Sequence, residues 1–255
     1  MTEETPPALE LCDVSKVFHM QSGFVEVLEG VNFSLEHGGF ACILGPSGCG
    51  KTTLLKIVAG FISPSHGTVE AYGGRIIKPG PERCFVFQED ALFPWLTIYE
   101  NIAFGLRGRM HRNILGSEVQ RYLELMGLED FGDYLPREVS GGMKQRASLA
   151  RVLVLKPKIL LMDEPFGSLD AQTREEMQEL LLSLWQELGQ TILFVTHDII
   201  EAQILAERVL LMCRRPGRII EELEVPLERP REKDSPAFNE FYRTLRESLR
   251  GQNRK

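Results

Sequence analysis

Apolar and polar positions along this chain change rhythm several times. Residues 9–14, 26–28 and 31–35 have the composition of short strands, with glycine and asparagine turns between them. Phe40-Ala41-Cys42-Ile43-Leu44 is apolar throughout, the pattern of a strand buried on both faces. A glycine-rich stretch follows, and residues 52–59 (TTLLKIVA) then read as a helix stopped by Gly60. Cys84-Phe85-Val86-Phe87 is another strand. Helical spacing sets in over about 94–156, with helices expected at 98–106, 117–126 and 141–155. Strands at 158–162 and 191–195 flank a helix at 171–188 that carries Met177, Leu180, Leu181, Leu184 and Leu188 on one face. A strand at 209–213 is the last of the core, and a short amphipathic helix at 238–249 closes a charged, proline-punctuated end that begins near residue 226. Strands alternating with helices predict an α/β core. The expected organisation is one domain over 1–225, with a helical subdomain at about 94–156, and a charged extension over 226–255.

Composition narrows the function classes. A 255-residue chain that is 43% hydrophobic can bury a substantial core, and a net charge of −7 argues against a dedicated nucleic-acid binder. No apolar run approaches the ~20 residues of a membrane span, and the acidic start MTEETPPALE lacks the features of a secretory signal. Cys12, Cys42, Cys49, Cys84 and Cys213 are scattered and form no CxxC pair, so neither a disulfide framework nor a zinc site is expected. The expected compartment is the reducing cytoplasm, with any membrane contact made through a partner.

The chemistry begins at Gly45-Pro46-Ser47-Gly48-Cys49-Gly50-Lys51-Thr52-Thr53, which fits the phosphate-binding loop G-x-x-x-x-G-K-[ST]. Glycines let successive backbone N–H groups turn inward toward phosphate oxygens, and the following helix aims its positive end at the same point. Lys51 supplies charge to the β- and γ-phosphates, and the Thr52 hydroxyl is a hard oxygen ligand for Mg²⁺. Ile159-Leu160-Leu161-Met162-Asp163-Glu164 ends a buried strand in two carboxylates, one suited to Mg²⁺ and one to polarising water. Ser140-Gly141-Gly142 opens a helix with an N-cap serine and a glycine-lined first turn, a second anion-binding terminus. One nucleotide has no evident use for both termini of a single chain, so a second subunit is expected to donate this face. His197 and Gln88 each follow a strand, at the ligand edge of a parallel sheet.

In this order (phosphate loop 45–53, Gln88, Ser140-Gly141-Gly142, LLMDEP at 160–165, Ser168-Leu169-Asp170, His197) the chain resembles the ATP-binding subunit of an ABC transporter over almost its whole length. The resemblance implies a phosphate-loop (RecA-like) α/β ATPase core with an N-terminal antiparallel β-subdomain and an inserted helical subdomain. It implies Lys51 on the β/γ-phosphates, Thr52, Asp163 and Gln88 serving Mg²⁺, Glu164 as general base and His197 as the γ-phosphate switch. Ser140, Gly141 and Gly142 would touch the ATP held by the partner subunit, Asp170 would sit at the dimer seam, and Phe18 in Ser15-Lys16-Val17-Phe18 would stack on adenine. VSGGM stands where the common family form is LSGGQ, so Met143 lacks the glutamine amide. Phe93-Pro94-Trp95-Leu96-Thr97 resembles bacterial importer subunits, and Arg215-Pro216-Gly217-Arg218-Ile219 together with Asp163-Glu164-Pro165-Phe166-Gly167 resembles the nitrate/sulfonate/taurine/bicarbonate importer group.

The implied partners are a membrane-spanning permease, a second copy or a paralogous ATPase subunit and, indirectly, an extracytoplasmic solute-binding protein; the implied location is peripheral, on the cytoplasmic face of the membrane. The competing readings are a soluble non-transport ABC ATPase, which usually carries coiled-coil insertions or tandem domains, and a phosphate-loop small-molecule kinase, which lacks the Ser-Gly-Gly helix. Cys49 lies in an electropositive loop at a helix start, conditions expected to lower its thiol pKa and favour alkylation.

Overall fold

The structure, a computed structural model, describes residues 5–21 and 23–251; the first four residues of the acidic start and the basic tip at 252–255 lie outside them. Along the chain run β1 (Leu9–Met20), β2 (Gly23–Leu35), β3 (Phe40–Leu44), α1 (Lys51–Ala59), β4 (His66–Ala71) and β5 (Gly74–Arg75). They are followed by β6 (Arg83–Val86), α2 (Ile98–Ala103), α3 (Arg112–Leu125), α4 (Gly141–Leu153), β7 (Ile159–Asp163) and α5 (Ala171–Leu188). The chain closes with β8 (Thr191–Thr196), α6 (Ile199–Leu205), β9 (Arg208–Met212), β10 (Ile219–Glu224) and α7 (Pro236–Gly251). These elements fold into two compact units. One holds the described residues up to Gly80 and from Gly189 onward; the other is Pro81–Leu188.

In the first unit, β1 and β2 pair antiparallel and β4 and β5 extend the sheet in the order β2-β1-β4-β5. Where short strands and turns were expected, two long strands run. The glycine and asparagine that read as turns shape bulges instead. Gly30 has φ 58° and gives its N–H to Ser15 Oγ at 2.9 Å, while Asn32 Oδ1 accepts from the Asp13 N–H at 2.8 Å. A second sheet holds β3 between β8 and β9, both parallel to it, with β10 antiparallel on β9. All five residues of β3 and all six of β8 are buried, as a continuous apolar run in a parallel sheet requires. The half-exposed alternation of β10 marks an edge strand that the sequence pattern did not reveal.

In the second unit, β6 and β7 pair in parallel. The helices at 98–106, 141–155 and 171–188 stand close to their expected places, although the first ends as a 3-10 turn, Phe104–Leu106. The helix expected at 117–126 begins earlier, at Arg112. Thr97 and Glu100 form a reciprocal capping box at the start of α2, with Glu100 N–H to Thr97 Oγ1 at 3.1 Å and Thr97 N–H to Glu100 Oε2 at 3.0 Å. α4 packs against both α2 and α5.

Candidate nucleotide site

Strand register places the chemistry. In the first unit Leu44 lies opposite Thr196 on β8 and Leu211 on β9. The phosphate loop and His197 therefore leave neighbouring strands at the same edge, where ligands of open α/β sheets bind. The loop is tightly packed. Lys51 is 4% exposed, and its Nζ donates to the carbonyls of Gly45 at 2.8 Å and Pro46 at 3.3 Å. A Cβ on Gly45 would stand 2.6 Å from the Met212 carbonyl oxygen. Gly50 holds φ 100° and its Cβ would stand 2.7 Å from Leu28 Cδ2. Ser47, Gly48 and Thr52 are exposed and Pro46 and Thr53 half-buried, so the crest of the loop and the first turn of α1 remain open to a ligand. Phe18 on β1 is half-buried, with Lys16 Nζ 5.0 Å from its ring centre.

Sequence reasoning missed two supports of this sheet edge, one behind the loop and one beside His197. Gly217 donates to the Val27 carbonyl at 2.9 Å and accepts from the Glu29 N–H at 3.0 Å, so the strand-like segment after β9 is stitched to β2. A side chain at Gly217 would overlap the Cys49 carbonyl oxygen, so this glycine buttresses the phosphate loop from behind. The second support is at the other strand end. Thr196 gives its hydroxyl hydrogen to Glu201 Oε2 at 2.5 Å and accepts from the Asp198 N–H at 3.0 Å. Asp198 caps α6 through the N–H groups of Ile200 and Glu201. The D-x-x-E spacing of Asp198 and Glu201 resembles a capping box and could have flagged this corner.

Cys49 overturns the reactive-thiol expectation. Its side chain is 1% exposed, packed close to Gly45 and away from solvent. Burial pushes the thiol up, and the opposing pull of Lys51 is the smaller effect. Cys42, on β3, is pushed well up, first by burial and then by Glu201.

In the second unit Val86 lies opposite Met162, so Gln88 and the Asp163-Glu164 pair leave neighbouring strands at one edge. Asp163 is 8% exposed at the end of β7, and Glu164 is half-buried at φ 45°, a backbone setting that turns it sharply out of the strand. Gln88 is exposed and lines a cavity of about 500 Å³ with Glu89, Asp90 and Ser168. Ser140 is exposed and caps α4, accepting from the Met143 N–H at 3.2 Å. Among the described residues nothing lies within 4 Å of where a Cβ on Gly141 would stand, whereas one on Gly142 would meet Thr173 Cγ2 at 2.6 Å. That threonine also anchors Asp170, with its N–H at 3.0 Å and its hydroxyl at 2.7 Å from the carboxylate. These bonds from the Thr173 N–H and hydroxyl hold the Asp170 carboxyl below the usual aspartate range. The Ser140-Gly142 turn and Asp170 are thus brought side by side.

The family described as "ABC transporter" matches residues 28–167. The chain belongs to the ABC transporter family. The cassette is 47% identical over 229 residues to the aliphatic sulfonates import ATP-binding protein of Bacillus anthracis, covering 90% of each chain. It is 44% identical over 241 residues to the nitrate import ATP-binding protein of Synechocystis sp. (strain ATCC 27184 / PCC 6803 / Kazusa), covering 94% of this chain and 89% of that one. Among solved structures it is similar to the ATP-binding cassette MJ0796 in a dimeric post-hydrolysis state bound to ADP and Pi. That match has TM-score 0.74 and 32% identity and covers 85% of this chain and 98% of that one. The cassette is thus an ATP-binding, ATP-hydrolysing protein with the phosphate-loop ATPase fold.

Proposed function

We propose that this ABC ATPase is the motor subunit of an importer for small oxyanionic solutes, working as a dimer in which each ATP lies between the phosphate loop of one copy and the Ser140-Gly142 turn of the other. The observation that carries the reading is the open space at Gly141. Gly45 and Gly50 of the phosphate loop are required by the packing of their own fold and Gly48 by its positive φ of 79°, but Gly141 is required by neither. Its bare first turn, with N–H groups at the positive end of a thirteen-residue helix, suits a phosphate brought by another molecule. The sulfonate and nitrate relatives, both import subunits, support the solute class.

Within each site the roles follow from side-chain chemistry. Lys51 moves its ammonium from the loop carbonyls to the β/γ-phosphates, exchanging neutral acceptors for charged ones. Phe18 offers a half-buried ring to the adenine. Thr52, Asp163 and Gln88 present oxygen donors, the set that a hard cation such as Mg²⁺ prefers, and bound there the ion would neutralise phosphate charge. Glu164 accepts a proton from the attacking water, and His197 donates to the γ-phosphate. Catalysis is then mostly positioning and charge stabilisation.

One feature supports docking on a membrane-spanning permease. Trp95 is 72% exposed beside Phe93, which in turn touches Phe104 with ring centres 4.6 Å apart. An exposed aromatic cluster of this kind marks a contact surface. The test is hydrolysis by Glu164→Gln, expected to fall about a hundredfold or more while MgATP binding persists. Wild-type turnover by that variant would remove Glu164 as the base.

A further inference from the structure

α6 begins two residues after His197 and is fixed at both ends by groups that the proposed mechanism does not use. At its start, Thr196 and Glu201, 1% and 5% exposed, are joined by the buried hydroxyl–carboxylate bond, and Asp198 caps the helix. At its end, two arginines from the segment after β10 bind the final carbonyls. Arg229 Nη1 donates to Ile204 O at 3.0 Å and Nη2 to Leu205 O at 2.5 Å. Arg231 Nη1 lies 2.8 Å from Gln203 O, 3.1 Å from Ile204 O and 2.5 Å from Ala206 O, while its Nε holds Leu227 O at 3.1 Å. Gln203, fully buried, donates to Phe238 O of α7 at 2.6 Å, and Phe238, Phe241 and Leu245 give α7 its buried face.

The last carbonyls of a helix have no partners within it, and cations there also complement the helix dipole. Water could satisfy them at little cost. Here two guanidiniums do so, although burial disfavours their charge. Burial lowers Arg229, and burial followed by the adjacent Arg229 charge lowers Arg231 to about 10, with Glu207 opposing both shifts to a smaller degree. Two partly desolvated like charges are a poor choice for merely covering a surface. They are a good choice for fixing one end of a seven-residue helix in one register, because a planar guanidinium fork constrains direction as well as distance. A helix so short moves as a rigid rod, so its register at Arg229 and Arg231 is also the register of the corner that carries His197.

We propose that Arg229 and Arg231 are positioning residues for His197, acting through α6. The segment after β10 thereby sets how His197 meets the γ-phosphate, an inference that rests on the reading of His197 as the γ-phosphate contact. In the full-length chain, Arg231→Ala and Arg229→Ala/Arg231→Ala should lower kcat about fivefold or more with KM for MgATP unchanged, and Arg231→Lys should recover part of the loss. Amide exchange over 196–206 should quicken about tenfold or more in the alanine variants, with that of 45–59 unaltered. Unchanged exchange at 196–201, or unchanged kcat, would overturn the proposal. If the double variant fails to fold, the single alanine and lysine variants carry the same two measurements. Wild-type hydrolysis by His197→Ala would overturn the underlying reading alone. The two failures are distinguishable, because the exchange measurement does not depend on hydrolysis.

Discussion

The starts of α1 and α4 are both glycine-bearing helix N-termini suited to phosphate, and they are built differently. At α1, Gly45 and Gly50 fill spaces where any side chain would strike Met212 or Leu28, and Lys51 is bound to the loop's own carbonyls. At α4, Ser140 satisfies one N–H, Gly141 has open space around it, and only Gly142 is demanded by a neighbour, Thr173. The first terminus is explained by its own fold. At the second, the packing of the fold accounts for Gly142 but not for Gly141.

The largest effect that can test this contrast is at Gly141. Gly141→Asp should leave stability within about 0.5 kcal/mol, since an exposed acid in a first helical turn is favourable. It should cost about a hundredfold or more in hydrolysis by opposing phosphate charge. Thermal melts beside steady-state ATPase rates check both halves. Gly45→Ala should behave in the opposite sense: overpacking against Met212 should cost about 1–3 kcal/mol, lowering Tm by several degrees. A melt unaffected by Gly45→Ala would show that the α1 loop is not constrained as described.

Smaller effects sharpen the picture around α4 and beyond it. Trp95→Ala should leave stability and the isolated subunit's ATPase unchanged and weaken co-purification with the permease; undiminished co-purification would count against the aromatic cluster as a docking surface. Asp170, next to the α4 start, has its carboxyl held below the ordinary aspartate range of about 4. A carboxyl depressed in the folded state adds stability above its unfolded pKa and loses it as pH falls through the folded one. Asp170→Ala should therefore destabilise at pH 7, and the penalty should vanish in strongly acidic denaturation titrations. The least perturbing probe is alkylation: exposed Cys12 should react well before Cys49 and Cys42, which stay protected until the chain unfolds.

Much of this was legible in the sequence, for identifiable reasons. Continuous apolar runs such as 40–44 and 159–162 are short enough to suit buried strands, and Gly60 and Ser140 are clear helix punctuation. Motif order fixed which residues to watch. What the sequence hid depends on non-local packing. Gly30 and Asn32 read as turns because the partners that make them bulge residues, Ser15 and Asp13, sit on another strand. Cys49 read as reactive because it neighbours a cation, yet its side chain is buried, and desolvation outweighs charge. The arginine brace on α6 joins residues some 25 positions apart through backbone carbonyls, which leave no mark in side-chain patterns.

The account's central claim is that the α4 terminus completes a site on another copy of the chain. It is tested most directly by sedimentation of Glu164→Gln and Glu164→Gln/Gly141→Asp in saturating MgATP. The account predicts a dimer for the first and a nucleotide-bound monomer for the second. Dimers of both variants, or a nucleotide-loaded monomer of Glu164→Gln, would contradict it.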